Sequence, residues 1–372
     1  MADLSTRVGL LATRIANYIR DSVLPRLIPS GGATGTVLGK SSATNYAVSW
    51  ITPSAGAGGS TGQIQYNASG VLTGASNVLV DNNDLVSAVN ALPVSPSIGV
   101  KKFGVSLASR VMLGMLGPKG DSYVPQPALF SQVVSCWHPP GNATTVPGVF
   151  GFAAPTALGT ATARTVATTN LMSRTKRLGY VSSATAGNFA GHYQPAAQYT
   201  VGSGAGLGGF FYSCRFAFSD AAAVAGVRAF VGLSSSVATA TNVEPNTLTN
   251  SVGLAQLSTD TTQLYLVYGG SVAQTAIGLG VNFPPMAATG ATGGNVYVLT
   301  LFSVGTENGI IYYRVERLGT TYVTEGTLTP AVVGTQTPAS TTLLAHRAWR
   351  CNNATALAAA IDIVNIYIET DS

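Results

Sequence analysis

Residues 31–80 read GGATGTVLGKSSATNYAVSWITPSAGAGGSTGQIQYNASGVLTGASNVLV, and this stretch decides how the chain is organised. It is nearly free of charge, rich in Gly, Ser, Thr and Ala, and carries only scattered large apolar side chains. Such a segment cannot build a core alone, because its few large side chains do not offset the entropy of ordering its backbone. We therefore expect other copies of the same stretch to cover those side chains, so that it forms an oligomeric shaft.

A short helix is predicted before this stretch. Apolar residues recur there at alternating spacings of four and three, the a/d rhythm of a coiled-coil seam, and the arginines fall off that seam. The seam consists of Leu4, Val8, Leu11, Ile15 and Tyr18. We expect residues 1–28 to form a coiled-coil helix that anchors the chain. An amphipathic helix lying on its own subunit is the alternative, but the thin segment that follows offers it no core.

Residues 29–92 hold short strand-like pieces between turn formers, which predicts a thin β shaft. Beyond Pro93 and Pro96 the composition shifts, and aromatic residues and long apolar runs become frequent. Candidate strands then lie at residues 130–137, 209–218, 228–233, 263–268, 295–302, 310–318, 343–349 and 360–369. Eight or more such strands in about 270 residues predict a mainly β chain whose residues 93–372 form an antiparallel, jelly-roll-like β sandwich.

Composition narrows the functional class. Mean hydropathy is +0.31, but alanine supplies much of the apolar fraction, and no run approaches the roughly 18–20 apolar residues of a spanning helix. Arginines interrupt the N-terminal apolar positions, which argues against a signal peptide. We therefore expect no membrane insertion and a protein made and kept in a cytosol. The net charge of +5 is scattered along the chain, so we expect no nucleic-acid partner.

The histidines and loop acids form no catalytic or metal-binding pattern. The chain has three histidines, which are His138, His192 and His346, and none has the local spacing of a metal site. The first two lie in loop-like segments, whereas the third is predicted on a strand. Asp260, Glu307 and Glu325 sit among turn formers, so we expect solvated loop carboxylates rather than the paired acids of a glycosidase. We expect no catalytic residues, no metal, no cofactor and no enzyme activity.

Two further residue types have structural explanations. Asp362 lies on an apolar strand with Arg347 and Arg350 not far upstream, which predicts a structural ion pair. The chain also contains the widely spaced cysteines Cys136, Cys214 and Cys351. Without a CxxC pair or a secretory signal, we interpret them as buried apolar residues rather than as a disulfide framework.

Four residues in predicted loops are candidate receptor contacts. Trp137 and His138 lie in CWHPPG, and Tyr193 and Tyr199 lie in or near AGHYQP. Aromatic faces exposed on loops suit both sugars and protein receptors. Burial of the same rings between subunits is the alternative interpretation.

Two segments within residues 31–80 resemble the modular shaft repeats of bacteriophage tail fibres and related virion fibres. The first resembles a G-x-V-L-x-K module with a closing Trp, matched here by Gly35, Val37, Leu38, Lys40, Ser42, Thr44, Tyr46, Trp50 and Pro53. The second resembles a G-Q-I-Q-Y-N-x-S-G-x-L module, matched by Gly62, Gln63, Ile64, Gln65, Tyr66, Asn67, Ser69, Gly70 and Leu72. The resemblance implies a homotrimeric virion fibre, and the modules carry no catalytic residues.

The C-terminal part is similar to domains found at the ends of phage fibres. The similarity is carried by FYSCRFAFSDAAAVAGVRAFVGLSSS, which begins at residue 211, followed by HRAWRCNNATALAAAIDIVNIYIET, which begins at residue 346. For that domain type the implied architecture is a jelly-roll or lectin-like β sandwich.

Together these features predict a structural fibre of a tailed bacteriophage, assembled in the host cytoplasm and located in the virion. Its N-terminus is expected to bind other virion proteins of the tail, an adaptor or the capsid. Its C-terminal domain is expected to bind a host surface glycan or protein, with three copies strengthening a weak contact. A head fibre or capsid decoration protein is the main alternative, and a fibre-borne glycan hydrolase is the second.

Overall fold

The computed structural model describes most of the 372-residue chain. The described residues are 3–23, 31–44, 47–52, 60–69, 71–82, 84–89, 91–120, 122–123, 133–139, 151–286 and 294–370. The chain divides into two compact units, Met1–Ala88 and Val89–Ser372. The described residues hold one α-helix near the N-terminus and many antiparallel strands, so the predicted mainly β class is confirmed.

The first unit contains a helix and two small sheets. Its elements are helix α1 (Leu4–Tyr18), a π-helical turn (Ile19–Val23) and strands β1 (Val37–Lys40), β2 (Val48–Ile51), β3 (Gln63–Ala68), β4 (Val71–Asp81) and β5 (Asp84–Ser87). Strands β1 and β2 form one antiparallel hairpin, and β3, β4 and β5 form a three-stranded sheet. The turn before β5 uses Asn82 at a φ of 47°, a left-handed conformation that asparagine tolerates. Of the module residues, Tyr46, Pro53 and Gly70 lie outside the described residues.

The second unit begins with a small sheet of β6 (Lys101–Leu107), β7 (Arg110–Leu116) and β8 (Ser122–Tyr123). Ala108 and Ser109 both have positive φ, as a two-residue turn between twisted strands requires. Gly114 makes room for the ring of Phe103 on the facing strand, because a Cβ there would lie 2.8 Å from that ring. Residues 101–116 therefore form a β-hairpin.

The remainder of the second unit is an antiparallel β sandwich, as predicted. Its strands are β9 (Val133–Trp137), β10 (Thr156–Leu158), β11 (Thr160–Arg164), β12 (Arg177–Val181), β13 (Phe189–Tyr193), β14 (Phe210–Phe218), β15 (Arg228–Ser234), β16 (Ser251–Gln256), β17 (Tyr265–Gly269), β18 (Ile277–Gly278), β19 (Tyr297–Ser303), β20 (Ile311–Arg317), β21 (Val323–Leu328), β22 (Ala345–Cys351) and β23 (Ala360–Thr370). One sheet has the order β10-β13-β22-β15-β16-β17-β18. The other has the order β11-β12-β23-β14-β19-β20-β21, with β9 also pairing with β23.

The core lies between the two sheets and is built by alternation along each strand. On β23 the inward residues are Ile361, Ile363, Ile366 and Ile368, all with no exposed surface. The step of three in this series is a bulge, because Arg215 of β14 pairs with Asn365 while the next residue pairs with Ile363. The bulge restores the inward direction of the last two isoleucines, so the whole strand contributes to one core.

Buried charges close one end of the sandwich. Arg350 and Asp220 are almost fully buried and form a multiply bonded ion pair, and Asp220 also accepts the backbone N–H of Ala360. The guanidinium also donates to Gln256 at 2.7 Å and lies 4.2 Å from the ring centroid of Phe218. Every side-chain nitrogen and oxygen atom of this pair therefore has a hydrogen-bond partner, which a buried charge requires.

Asp362 does form structural ion pairs, but the predicted arginine partners are wrong. It accepts hydrogen bonds from Arg177 at 2.8 Å and Arg164 at 3.3 Å. Both arginines lie on β11 and β12 of the same sheet, whereas Arg347 and Arg350 lie on β22 of the opposite sheet. Gly179 makes this possible, because a Cβ there would lie 2.3 Å from the Arg164 Nε atom.

The three cysteines are free thiols, as expected. Cys214 and Cys351 are buried, whereas Cys136 is only half-buried, so the expectation of burial holds for two of the three.

Substitution of Asp220 by Ala should destabilise the sandwich by about 3–5 kcal/mol, because it leaves Arg350 buried without its counter-ion. The free energy of unfolding, measured by chemical denaturation of the full chain, tests this. Glu325→Ala is the matched control, because Glu325 pairs with Arg314 but its side chain is 46% exposed, and such pairs contribute only about 0–1 kcal/mol. Equal losses in the two variants would contradict the prediction.

Candidate functional site

The predicted seam of α1 is a solvent-exposed apolar stripe in this single chain. Helix α1 buries none of its residues. The exposed fraction is 74% for Leu4 and 63% for Tyr18, and Val8, Leu11 and Ile15 are each at least half exposed. Together the five side chains form an uncovered apolar face, which is the condition expected of a helix whose partner is another chain.

The β1–β2 hairpin is also apolar on both faces. Leu38 pairs with Trp50 on one face, and Val37 pairs with Ile51 on the other. All four side chains are classed as exposed large hydrophobic residues. Gly39 allows Ile51 to lie flat across the hairpin, because a Cβ at that glycine would lie 2.3 Å from the isoleucine side chain. A hairpin with two uncovered apolar faces is not a stable unit on its own.

The three-stranded sheet of the first unit shows the same property. Tyr66 is 50% exposed, Leu72 55% and Leu85 70%. We refer to these side chains, the apolar residues of the β1–β2 hairpin and the α1 seam as the assembly surface.

Two of the four candidate receptor contacts are buried. Trp137 is the last residue of β9 rather than a loop residue, and its ring lies edge-on to His192 at 5.0 Å between centroids. Tyr199 is outside the named strands but pairs with Leu344 in an isolated bridge and has almost no exposed surface. Both rings pack into the sandwich core of their own subunit, so neither is available at its surface.

The other two candidates differ from each other. Tyr193 is the last residue of β13 rather than a loop residue, and it is half-buried against a cluster that includes Trp349. His138 is exposed in the irregular segment after β9, and its Nδ1 atom lies 3.9 Å from the Cys136 Sγ atom. The structure does not gather the four residues into one exposed site. Receptor contact by His138 or Tyr193 stays a prediction.

The fold brings together two histidines that are isolated in the sequence. The Nε2 atoms of His192 and His346 lie 3.0 Å apart. The outer nitrogens extend the chain, because His192 Nδ1 is 2.8 Å from the Tyr180 hydroxyl and His346 Nδ1 is 3.0 Å from the Tyr212 hydroxyl. The histidines belong to one sheet and the tyrosines to the other, so these four residues form a hydrogen-bonded chain across the core.

The environment of these four residues is that of a protein core. All four side chains are buried in the sandwich core. Burial lowers the pKa of His192 to about 3 and lowers the pKa of His346 well below its ordinary value, so both rings are neutral near pH 7. Neutral rings suit the geometry, because one Nε2 must donate while the other accepts. The imidazoles have no exposed surface, and their hydrogen bonds to Tyr180 and Tyr212 link the two sheets.

The loop acids are hydrogen-bonded rather than paired with one another. Asp260 accepts bonds from the backbone and hydroxyl of Thr262 and from Tyr265, and these bonds lower its pKa. Glu307 accepts the hydroxyl of Tyr312 at 2.9 Å. Glu325 lies on β21 and not in a loop, where it pairs with an arginine of the neighbouring strand. Within the described residues no cluster of three His, Cys, Asp or Glu side chains could hold a metal ion.

The sequence matches no protein-family model and no curated protein sequence. Solved structures with a distant likeness include a peanut lectin (11% identity, 64% of this chain and 97% of the lectin, TM-score 0.39). They also include a protein of unknown function from Shewanella oneidensis MR-1 (13%, 64% and 87%, TM-score 0.38). A carbohydrate esterase from the Shiga toxin-encoding bacteriophage phi24B is a third (19%, 59% and 90%, TM-score 0.34). These likenesses are too distant for a function to be transferred.

The described helices are also too short or too polar to span a lipid bilayer.

The stability of the sandwich should fall as the pH falls below about 6.5, because the unfolded histidines bind protons that the buried neutral rings exclude, and burial lowers the pKa of His192 to about 3. Each ring contributes up to about 1.4 kcal/mol per pH unit in that window. His192→Gln should therefore make the free energy of unfolding less steeply dependent on pH between 6 and 4. His138→Gln is the control, because that ring is exposed and does not belong to the hydrogen-bonded chain of histidines and tyrosines. Identical slopes for wild type and His192→Gln would refute this role.

Proposed function

We propose that this protein is a structural fibre of a tailed bacteriophage virion, a homotrimer whose β sandwich adheres to the host surface. The observation that carries the proposal is the assembly surface. Covering one Leu, Ile or Val side chain contributes roughly 1.5–3 kcal/mol, so the five seam residues of α1 alone favour association strongly. The resemblance of residues 35–53 and 62–72 to virion-fibre modules supports the same assignment.

The number of chains rests on the fibre resemblance rather than on the helix. With Leu4 and Leu11 at d positions, Val8 and Ile15 fall at a positions. That distribution is typical of two-stranded parallel coiled coils. The shaft modules imply three chains, and a threefold shaft would cover both faces of the β1–β2 hairpin. The mass of the assembly therefore decides between two chains, which the helix favours, and three chains, which the module resemblance implies.

The full chain should have a mass in solution of about three times its 37.9 kDa, measured by light scattering after size-exclusion chromatography. Leu11→Asp should lower that mass toward one chain, because it places a charge in the seam. Leu10→Asp is the matched control, since Leu10 is an exposed leucine of the same helix outside the seam. A wild-type mass of one chain would overturn the fibre proposal, and a mass of two would overturn the trimer.

Adhesion is assigned to the sandwich because the first unit is a spacer of exposed apolar side chains. Three sandwiches on one shaft raise the effective concentration of a weak site, so avidity does not require high affinity from each copy. We assign the sandwich no glycan-cleaving role. The buried acids of its described residues, Asp220, Asp362 and Glu369, each form an ion pair with an arginine, which argues against a pair of catalytic carboxyl groups.

Imaging of virions labelled on this chain should place it at the tail. A label fused after residue 372 and viewed by electron microscopy tests this, because the proposed adhesive domain should then lie at the free end. Labels distributed over the capsid would instead support the head-fibre alternative, which shares the same architecture. Virions without any label would overturn both assignments.

A further inference from the structure

A small cavity lies on the outer face of the eight-stranded sheet. Its floor follows one cross-strand row, in which Glu369 of β23 pairs with Phe211 of β14, and Phe211 pairs with Phe302 of β19. Arg110 of β7 covers this row, with its guanidinium carbon 4.8 Å from the Phe211 ring centroid and 5.8 Å from that of Phe302. Ser303 also lines the cavity. Neither the fibre modules nor the candidate contacts include this place.

The surroundings of the Glu369 carboxylate point to a ligand in this cavity. Its side chain is only 2% exposed, and its Oε2 atom accepts a hydrogen bond from Arg110 Nη1. Its Oε1 atom is buried and accepts no hydrogen bond from the residues that the structure describes. Burial raises the pKa of the Tyr367 phenol and a hydrogen bond with the Glu369 carboxylate raises it further, but Oε1 itself keeps no donor among the described residues. A ligand that supplies a hydrogen-bond donor would stabilise this oxygen, because a buried carboxylate oxygen without a donor is rare and destabilising.

The groups around Oε1 define the chemistry of that donor. Arg110 has five N–H donors, and the described contacts use one of its nitrogens for Glu369. A ligand hydroxyl group suits this arrangement, because it can donate a hydrogen bond to the Glu369 Oε1 atom and accept one from the Arg110 guanidinium. The phenylalanine rings supply apolar wall for C–H groups. An aromatic wall with a few convergent polar groups is the ordinary composition of a small-ligand site.

Size and charge narrow the ligand further. The cavity measures about 170 Å³, more than ten times the roughly 10–15 Å³ that one water requires. One small ring fits in this volume, and the rest of a longer ligand must extend out through the opening of the cavity. The Arg110–Glu369 pair is neutral overall, and a second carboxylate would meet the free Oε1 oxygen. The ligand is therefore neutral, polyhydroxylated and compact.

We propose that this cavity binds the terminal neutral hexopyranose of a surface glycan. Its hydroxyl groups would replace the waters that otherwise satisfy Oε1, and such replacement favours binding when the hydrogen bonds are reproduced. The biological role of the site rests on the proposed adhesion function. The binding itself is a property of the sandwich and does not require that function.

Saturation-transfer NMR on the full chain, with methyl hexopyranosides as probes, tests this. At least one neutral methyl hexopyranoside should bind, and the corresponding methyl uronide should bind more weakly. Glu369→Gln should weaken binding by about tenfold or more, because it removes the charged acceptor. Glu325→Gln is the matched control on the same sheet, because that carboxylate pairs with Arg314 outside the cavity lining.

A second variant guards against a folding defect in the first. Val304→Phe adds bulk at another residue of the cavity lining while leaving the Arg110–Glu369 pair in place. It should abolish sugar binding and leave the midpoint of thermal unfolding unchanged, so a loss of binding cannot be attributed to unfolding. The proposal is overturned if none of the sugars binds, if the uronide binds best, or if Val304→Phe binds as wild type does. Sugar binding by a chain of monomeric mass would leave this site standing and remove the fibre proposal, whereas a virion-bound trimer that binds no sugar would do the reverse.

Discussion

The pairing of β23 with β14 is the interaction on which the rest of the sandwich depends. These two strands lie at the centre of the eight-stranded sheet, and β23 also pairs with β12 and β9. The inner face of β23 supplies four isoleucines to the core, while its outer face buries Asp362 and Glu369. A central strand can bury two carboxylates only if arginines reach them from neighbouring elements. That requirement determines where Arg164, Arg177 and Arg110 lie.

The two units use apolar side chains in opposite ways. The sandwich covers its large residues with a second sheet, and its interior is closed around aromatic rings and neutral histidines. The first unit has few large residues, and many of those that the structure describes are exposed. Exposed apolar surface of this kind marks sites of association, so the first unit is where the proposed fibre would assemble, whereas the sandwich has a core of its own. The proposed fibre would thus divide into an adhesive end and an oligomeric spacer.

Strand alternation and apolar spacing made much of the fold predictable. The eight candidate strands correspond to strands of the sandwich, although residues 130–132 of the first candidate lie outside the described residues. Strands β10, β11, β12, β13, β16 and β18 escaped prediction, and RLGYV and FAGHY of β12 and β13 are short, contain glycine and resemble loops. That error affected the candidate contact Tyr193, which lies on β13. Trp137 is different, because it ends β9, a strand that the candidate range 130–137 already covered. The alternation of His192 with Gly191 and Tyr193 was the available signal, but five residues are too few to distinguish a strand from a turn-rich loop.

By itself the sequence determined the mainly β fold class, the apolar seam of the N-terminal helix and the low charge of the segment that follows it. These properties follow from local spacing and composition, which act over a few residues and can be read without a partner. Only the tertiary structure decided which distant groups meet. It joined His192 to His346 across 154 positions, and it placed Arg110 on Glu369 across 259. Such contacts depend on strand order and on which sheet each strand joins, and local spacing carries no information about either.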